Sequence, residues 1–228
     1  MTFWEQITEF LTEPSTWSGS GSIWVRLFEH LWVSVAATLI AIVLVMPLAL
    51  WLGHTRRGAD AATAVVNIGR AIPSFGILVL TVMILVNLGV GVLSPWPVLV
   101  ALIALAAPPI FTNTVAAIQG VPPATIEAAR GMGFTEGEVL GGVEVPLASP
   151  VIVEGIRIAF VQVIATATLG ALTAWGGLGR FIVDGFAQQD QGELVVGAVL
   201  VAGLAVLAEL GMGAIQRVAT PRGIRTSG

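Results

Sequence analysis

The chain has 228 residues, of which 56% are hydrophobic and only 11% charged, with no cysteine and a formal net charge of −4. Soluble domains carry roughly 25% charged residues, so this composition cannot clothe an ordinary globular surface. Together with a mean hydropathy of +0.92 it describes a polytopic membrane protein. All ten basic residues are arginine. A P-loop requires its lysine on the transferring phosphates, so a chain without lysine cannot carry that kind of ATPase site, nor Schiff-base chemistry on a lysine. The absence of cysteine excludes disulfides, a thiol nucleophile and a Cys-ligated metal. No basic block suggests nucleic acid.

From the N-terminus, Glu5, Glu9 and Glu13 replace the positive region of a cleavable signal peptide. Phe3, Trp4, Ile7, Phe10 and Leu11 recur at helical spacing, so residues 1–30 are expected to hold an external, interfacial amphipathic helix. Residues 15–22 read as a flexible link. A bilayer core takes about 20 apolar residues of helix. Residues 31–52 form the first such span, closed by His54, Arg56 and Arg57, and 59–73 is read as a short extra helical turn before Pro73. The charge-free stretch from Ala71 to Ile126 is too long for one span. Turn chemistry at Asn87-Leu88-Gly89-Val90-Gly91 and Ser94-Pro95-Trp96-Pro97 divides it into spans near 74–92 and 96–118. Further spans are predicted at 153–174 and 194–215, completing an all-α membrane protein of about five helices within 31–217. Most arginines then fall on the side of Arg56, Arg130 and Arg217. The positive-inside rule therefore puts the N-terminus outside and the 218–228 tail, with Arg222 and Arg225, in the cytoplasm. Trp32, Trp51, Trp96 and Trp175 sit near span ends, as interfacial anchors do.

One loop, 120–150, is long enough to do something. Pro122 and Pro123 open a short helix, and Gly131 and Gly133 end it. Thr135 and Glu138 have capping-box spacing for a second helix, which Pro146 and Pro150 are expected to stop. Two short helices bent at a glycine make a rigid knob able to transmit a push from a partner to the adjoining spans. The same spacing also fits an ordinary interfacial loop.

The loop resembles the EAA motif of ABC importer permeases, in which Glu-Ala-Ala is followed after three residues by Gly, and nine residues later by Ile-x-Leu-Pro. Here the residues are Glu127-Ala128-Ala129, Gly133 and Val143-Glu144-Val145-Pro146, with the spacing intact and valine at both aliphatic positions. The resemblance implies a type I ABC importer permease of methionine-permease-like fold in a bacterial cytoplasmic membrane. In that family the loop is the coupling helix docked in a groove of the ATP-binding subunit. Glu127, Ala128, Ala129, Gly133, Val143, Val145 and Pro146 are the residues carried over. Implied partners are two ATP-binding cassette subunits holding ATP and magnesium, a second permease chain (identical or paralogous) and an extracytoplasmic substrate-binding lipoprotein.

The resemblance covers nearly the whole chain and narrows to permeases for osmoprotectants: glycine betaine, carnitine, choline and proline betaine. It rests on Trp17 with Arg26, Glu29-His30-Leu31, Arg70-Ala71-Ile72-Pro73-Ser74-Phe75 and Pro108-Pro109-Ile110 with Asn113-Thr114. Gly155-Ile156-Arg157, Thr166-Ala167-Thr168-Leu169 and Gly176-Gly177-Leu178-Gly179 complete it. Methionine importers share the loop, a Ser-Ile-Pro version of the Pro73 segment and the glycine stretch, so methionine or another small polar solute is the alternative cargo. Ala174-Trp175 departs from the usual Gly-Ala and puts an indole beside the presumed gate.

Candidate residues of the translocation path or gate are Pro73, Asn113, Thr166, Thr168, Trp175, Gly176, Gly177 and Gly179. Each also has a plainer reading. Thr112, Thr114, Thr166, Thr168 and Thr173 can bond back to their own helix, and helix–helix packing accounts for them as well as cargo does. Asn113 is the better lining candidate because an amide in the membrane must find a partner. Pro73, Pro108 and Pro109 fit a hinge and a packing kink equally, and the glycines fit a tight turn or a loop touching the receptor. Arg70 and Arg157 are expected to snorkel to the inner interface, Glu209 to be interfacial, and His30 and His54 to be interfacial rather than metal ligands. No aromatic cage for a methylated ammonium is apparent, so specificity is expected in the receptor, with a weakly selective path here. An ion-coupled secondary transporter would show buried acids or inverted repeats. An intramembrane enzyme would show a metal cluster, an acid pair or an activated serine. Neither pattern is present, and the chain is expected to perform no covalent chemistry.

Overall fold

The computed structural model describes residues 2–91, 93–173 and 175–219. The described residues are helical throughout, with no strand among them. Helix α1 (Phe3–Thr12) and the short α2 (Pro14–Trp17) precede α3 (Ile23–Thr55), a 33-residue helix about 50 Å long. α3 begins at Ile23 rather than near residue 31, because Arg26 and Glu29 pair on one face and leave the rest of the first turns apolar. The N-terminal segment is docked rather than loosely tethered. Thr16 donates to the Phe10 carbonyl at 2.6 Å and Trp17 Nε1 to the Leu11 carbonyl at 2.8 Å, so α2 folds back over the end of α1.

Helix α4 (Ala59–Gly69) meets α5 (Ser74–Asn87) at a bend of 87°. The expected extra turn is therefore an 11-residue helix. α5 has 14 residues, short for a crossing by itself; four other helical segments among the described residues are long and apolar enough to cross, and α4 with α5 makes a fifth crossing if the bent pair is one span. Val92, the predicted end of the second span, lies outside the described residues. Pro73 sets this break: a proline without N–H disfavours helix at the residue before it and opens the next one.

Helix α6 (Trp96–Gln119) is the central element, packed on both α3 and α9 (Val145–Ala167). Val33, Ala37, Leu102, Ile110, Ala159 and Val163 form its core, and small residues let the backbones approach. A Cβ added to Gly155 would lie 2.6 Å from the Asn113 Cβ and 2.9 Å from the Pro109 carbonyl.

Between α6 and α9 stand α7 (Pro123–Gly131) and α8 (Glu136–Val139). The second short helix does not stop at Pro146. It runs through a π-helical stretch, Leu140–Glu144, directly into α9, giving a continuous helical segment Glu136–Thr173. The wider π turn accommodates the missing N–H of Pro146, with Gly141 and Gly142 in open space beneath it. Pro150 would leave the Pro146 carbonyl without its helical donor, and the Ser149 hydroxyl supplies one at 2.9 Å. After a 3-10 stretch, Thr168–Thr173, come α10 (Gly179–Gln188) and α11 (Gln191–Ala219). α1 lies on α11, where Gly192 touches the Gln6 backbone, and Phe10 stacks edge-on with Phe181 at 5.8 Å. The tail from residue 220 onward, with Arg222 and Arg225, lies outside the described residues.

Candidate functional site

The molecule has two polar ends, one carrying the α7–α8 knob and the other the Gly176–Gly179 stretch. The knob is anchored from within. Ile126 and Ala129 face a buried cluster with Ile118, Val121, Val139 and Ile152, against which Val143 and Val145 also pack. Glu127 and Ala128 point outward on the exposed face of α7, and Pro146 is exposed. The two faces of Glu-Ala-Ala thus have different surroundings: Ala129 fills a tight inner position, while Glu127 and Ala128 are free for a partner. Gly133 turns the chain with φ +91°, in space where an added Cβ would touch nothing. Beside it Met132 is 71% exposed and Phe134 42%, an apolar tip on a polar knob. The predicted capping box is formed, Thr135 accepting from the Glu138 N–H and Glu138 from that of Thr135.

A side-chain network that the sequence reading missed ties this knob to the end of α3. Glu144 is buried and its carboxylate accepts from His54 Nδ1 at 2.5 Å. His54 Nε2 lies 3.0 Å from Glu136, which also takes a two-pronged bond from Arg130 at 2.9 and 2.8 Å. The hydrogen bond to Glu136 raises the Arg130 guanidinium above its ordinary value, keeping it charged. Arg56 donates to the Gln119 carbonyl at 3.1 Å and so caps α6. Nothing in spacing marks Glu144 as buried; only the π-helical path of the chain turns it inward. His54 is therefore a bridge between α3 and the knob.

The opposite end is held by α3 as well. Glu29, paired with Arg26 at 3.0 Å, accepts from the Gly177 N–H at 2.8 Å. A Cβ on Gly176 would overlap the Glu29 carboxylate, and one on Gly179 would overlap the Thr168 backbone. His30, fully buried rather than interfacial, donates from Nε2 to the Ile164 carbonyl at 2.9 Å and locks α3 to α9. Trp175 is buried against the main core, while Trp32, Trp51 and Trp96 are exposed as anchors require. Ala174 lies outside the described residues.

The remaining path candidates do not form one site. Thr168, Trp175, Gly176, Gly177 and Gly179 gather at the glycine end. Pro73 and Thr166 lie on neighbouring cavities that share Ser74. Asn113 sits apart in the knob half, against Gly155. Its amide donates to the Pro109 carbonyl at 2.8 Å, so it finds its partner within its own helix. Thr112, Thr166, Thr168 and Thr173 bond back in the same way. Arg157 does not snorkel: it is paired with Glu209 and bonded to Gln216 at 3.0 Å, linking α9 to α11. A cavity of about 300 Å³ opens at the α4–α5 break, lined by Arg70, Pro73, Ser74, Pro108 and Gln162 among others. Gln162 also escaped the sequence reading, although an amide within the predicted 153–174 span was a legible signal. No group of acidic or histidine residues able to hold a metal occurs among the described residues.

Residues 45–222 match the family model described as "Binding-protein-dependent transport system inner membrane component". The chain is 34% identical over 208 residues to the glycine betaine/carnitine/choline transport system permease protein OpuCB of Bacillus subtilis, covering 91% of this chain and 93% of that one. It is likewise 34% identical to the osmoprotectant import permease protein OsmW of Salmonella typhimurium, covering 87% of this chain and 92% of that one. Among solved structures, an inward-facing MetNI methionine ABC transporter chain superposes with a TM-score of 0.79 at 27% identity, over 92% of this chain and all of that one.

Proposed function

The chain belongs to the binding-protein-dependent transport system inner membrane components, as a multi-pass ABC transporter permease, and from that premise we propose that it imports osmoprotectants. The cargo class is a small solute with a methylated ammonium, such as glycine betaine, choline or carnitine. The observation that carries this is the similarity, over 91% of the chain, to permeases whose names specify those compounds.

Two permease chains enclose a path, two ATP-binding subunits with ATP and magnesium lie beneath the knobs, and a separate binding protein delivers cargo outside. The N-terminus is extracytoplasmic, consistent with the arginines that cluster toward the knob end. ATP binding brings the ATPases together, moves the knobs and opens the path outward; hydrolysis returns it inward. The exposed Glu127–Ala128 face above a packed Ala129 supports the knob as the coupling element, since it can take a push without yielding. The bridge from His54 to Glu144 gives that push a route into α3.

The test is uptake of radiolabelled glycine betaine by cells lacking their own osmoprotectant importers, with this chain and its operon partners expressed. Salt-tolerant growth and ATP-dependent betaine uptake are expected. Methionine uptake without betaine uptake would overturn the cargo class, and that outcome is the one the likeness to the methionine transporter favours.

A further inference from the structure

The break between α4 and α5 lies beside Ala104, Leu105 and Pro108, midway along α6, and therefore deep in the membrane. Irregular backbone at such depth is tolerated where it is buried in protein or faces a water-filled cavity. Here Arg70, Ala71, Ile72 and Pro73 are all exposed. Arg70 reaches the roughly 300 Å³ cavity, and its guanidinium has no hydrogen bond or ion pair among the described residues. Gln162, from α9, lines the same cavity, and its amide too has no hydrogen-bond partner among the described residues. Arg157 shows the contrast: its terminal guanidinium nitrogens are paired with Glu209 and Glu154 and bonded to Gln216. A cation and an amide with open donors on one small cavity lack an acceptor, and a carboxylate is the acceptor whose geometry a guanidinium matches best.

We propose that Arg70 and Gln162 form a carboxylate-recognition site for zwitterionic cargo at mid-membrane, a step on the path rather than a storage site. This rests on the osmoprotectant reading above. The volume lies at the low end of small-molecule sites and suits a compact solute. Glycine betaine and carnitine carry a carboxylate and choline does not, so the site discriminates within the cargo class. Ile77, Leu105 and Pro108 supply an apolar wall without an aromatic cage, which keeps binding weak enough for release.

The test is competition uptake of glycine betaine and choline by the assembled transporter. Arg70→Gln is expected to lower the betaine-to-choline uptake ratio about tenfold, with Gln162→Leu giving a smaller fall in the same direction and Arg70→Lys an intermediate one. A second measurement uses the natural absence of cysteine. Ser74→Cys in the intact complex is expected to react with a charged, water-soluble thiol reagent, and glycine betaine is expected to slow that reaction. An unchanged ratio, or equal loss of both cargoes, overturns the site. So does a thiol that reacts only after detergent denaturation, which would make the cavity lipid-covered, with a lipid phosphate rather than cargo facing Arg70. Wild-type uptake of neither compound counts against the osmoprotectant reading itself; wild-type betaine uptake with an unchanged ratio in Arg70→Gln counts against this site alone.

Discussion

The knob and the glycine stretch each hold a left-handed glycine, Gly133 in one and Gly177 in the other, and differ in what surrounds their glycines. At Gly133 the backbone is left-handed, φ +91°, and the surroundings are empty, so the residue serves a turn and nothing presses on it. At Gly176 and Gly179 the backbone is ordinary and the surroundings are full, Glu29 against one and the Thr168 backbone against the other. One end is built to present a surface and the other to close one. Helix α3 is tied to both, through Glu29 and His30 at the glycine end and His54 at the knob. A displacement of the knob can therefore reach the opposite end along α3 as well as along the continuous helical segment Glu136–Thr173.

The largest effect is expected from Gly179→Ala. Its Cβ would collide with fixed backbone, and overpacking of this kind costs about 1–3 kcal/mol. The purified chain should lose thermal stability in detergent, and transport should fall with the amount of folded protein. Gly133→Val separates the two ends more sharply. The left-handed turn costs roughly 1–2 kcal/mol for a residue with a side chain, yet nothing is displaced. Membrane insertion and yield should stay normal while uptake and coupled ATP hydrolysis drop about tenfold, the equivalent of about 1.4 kcal/mol in coupling. Normal transport in that variant would remove the knob's special role. Glu144→Gln comes next: it weakens the bond to His54 without emptying space, at about 1–3 kcal/mol for a disturbed buried partner. Its expected signature is ATP hydrolysis less tightly linked to uptake, measured as ATP consumed per cargo moved. Gly137→Ala should be the quietest, since that glycine meets nothing and has no left-handed backbone. A change of less than about 0.5 kcal/mol in unfolding, and unaltered uptake, is expected.

The legibility of these features in the sequence follows their range. The capping box at Thr135, the helix opened by Pro123 and the turn at Gly133 are local chemistry, and the structure forms each of them. The stop expected at Pro146 is absent because a π turn, a feature of hydrogen-bond register rather than composition, carries the helix through. Distance from span ends places Arg157 and His30 at an interface, but it is blind to partners on other helices. Arg157 meets Glu209 from α11, and His30 meets Ile164 from α9. The break before Pro73 was visible as a proline, but its depth depends on where α6 packs beside it. An amide's need for a partner points Asn113 to the path; the carbonyl four residues back in its own helix supplies one.

The central claim is that energy enters at the knob from a separate ATPase. The chain lacks cysteine, so Met132→Cys at the exposed tip provides a unique attachment point for a photo-crosslinker in the assembled transporter. Illumination should join this chain to the ATP-binding subunit, with a yield that changes when ATP is bound. Crosslinks to lipid or to the external binding protein, with none to the ATPase in any nucleotide state, would contradict the account.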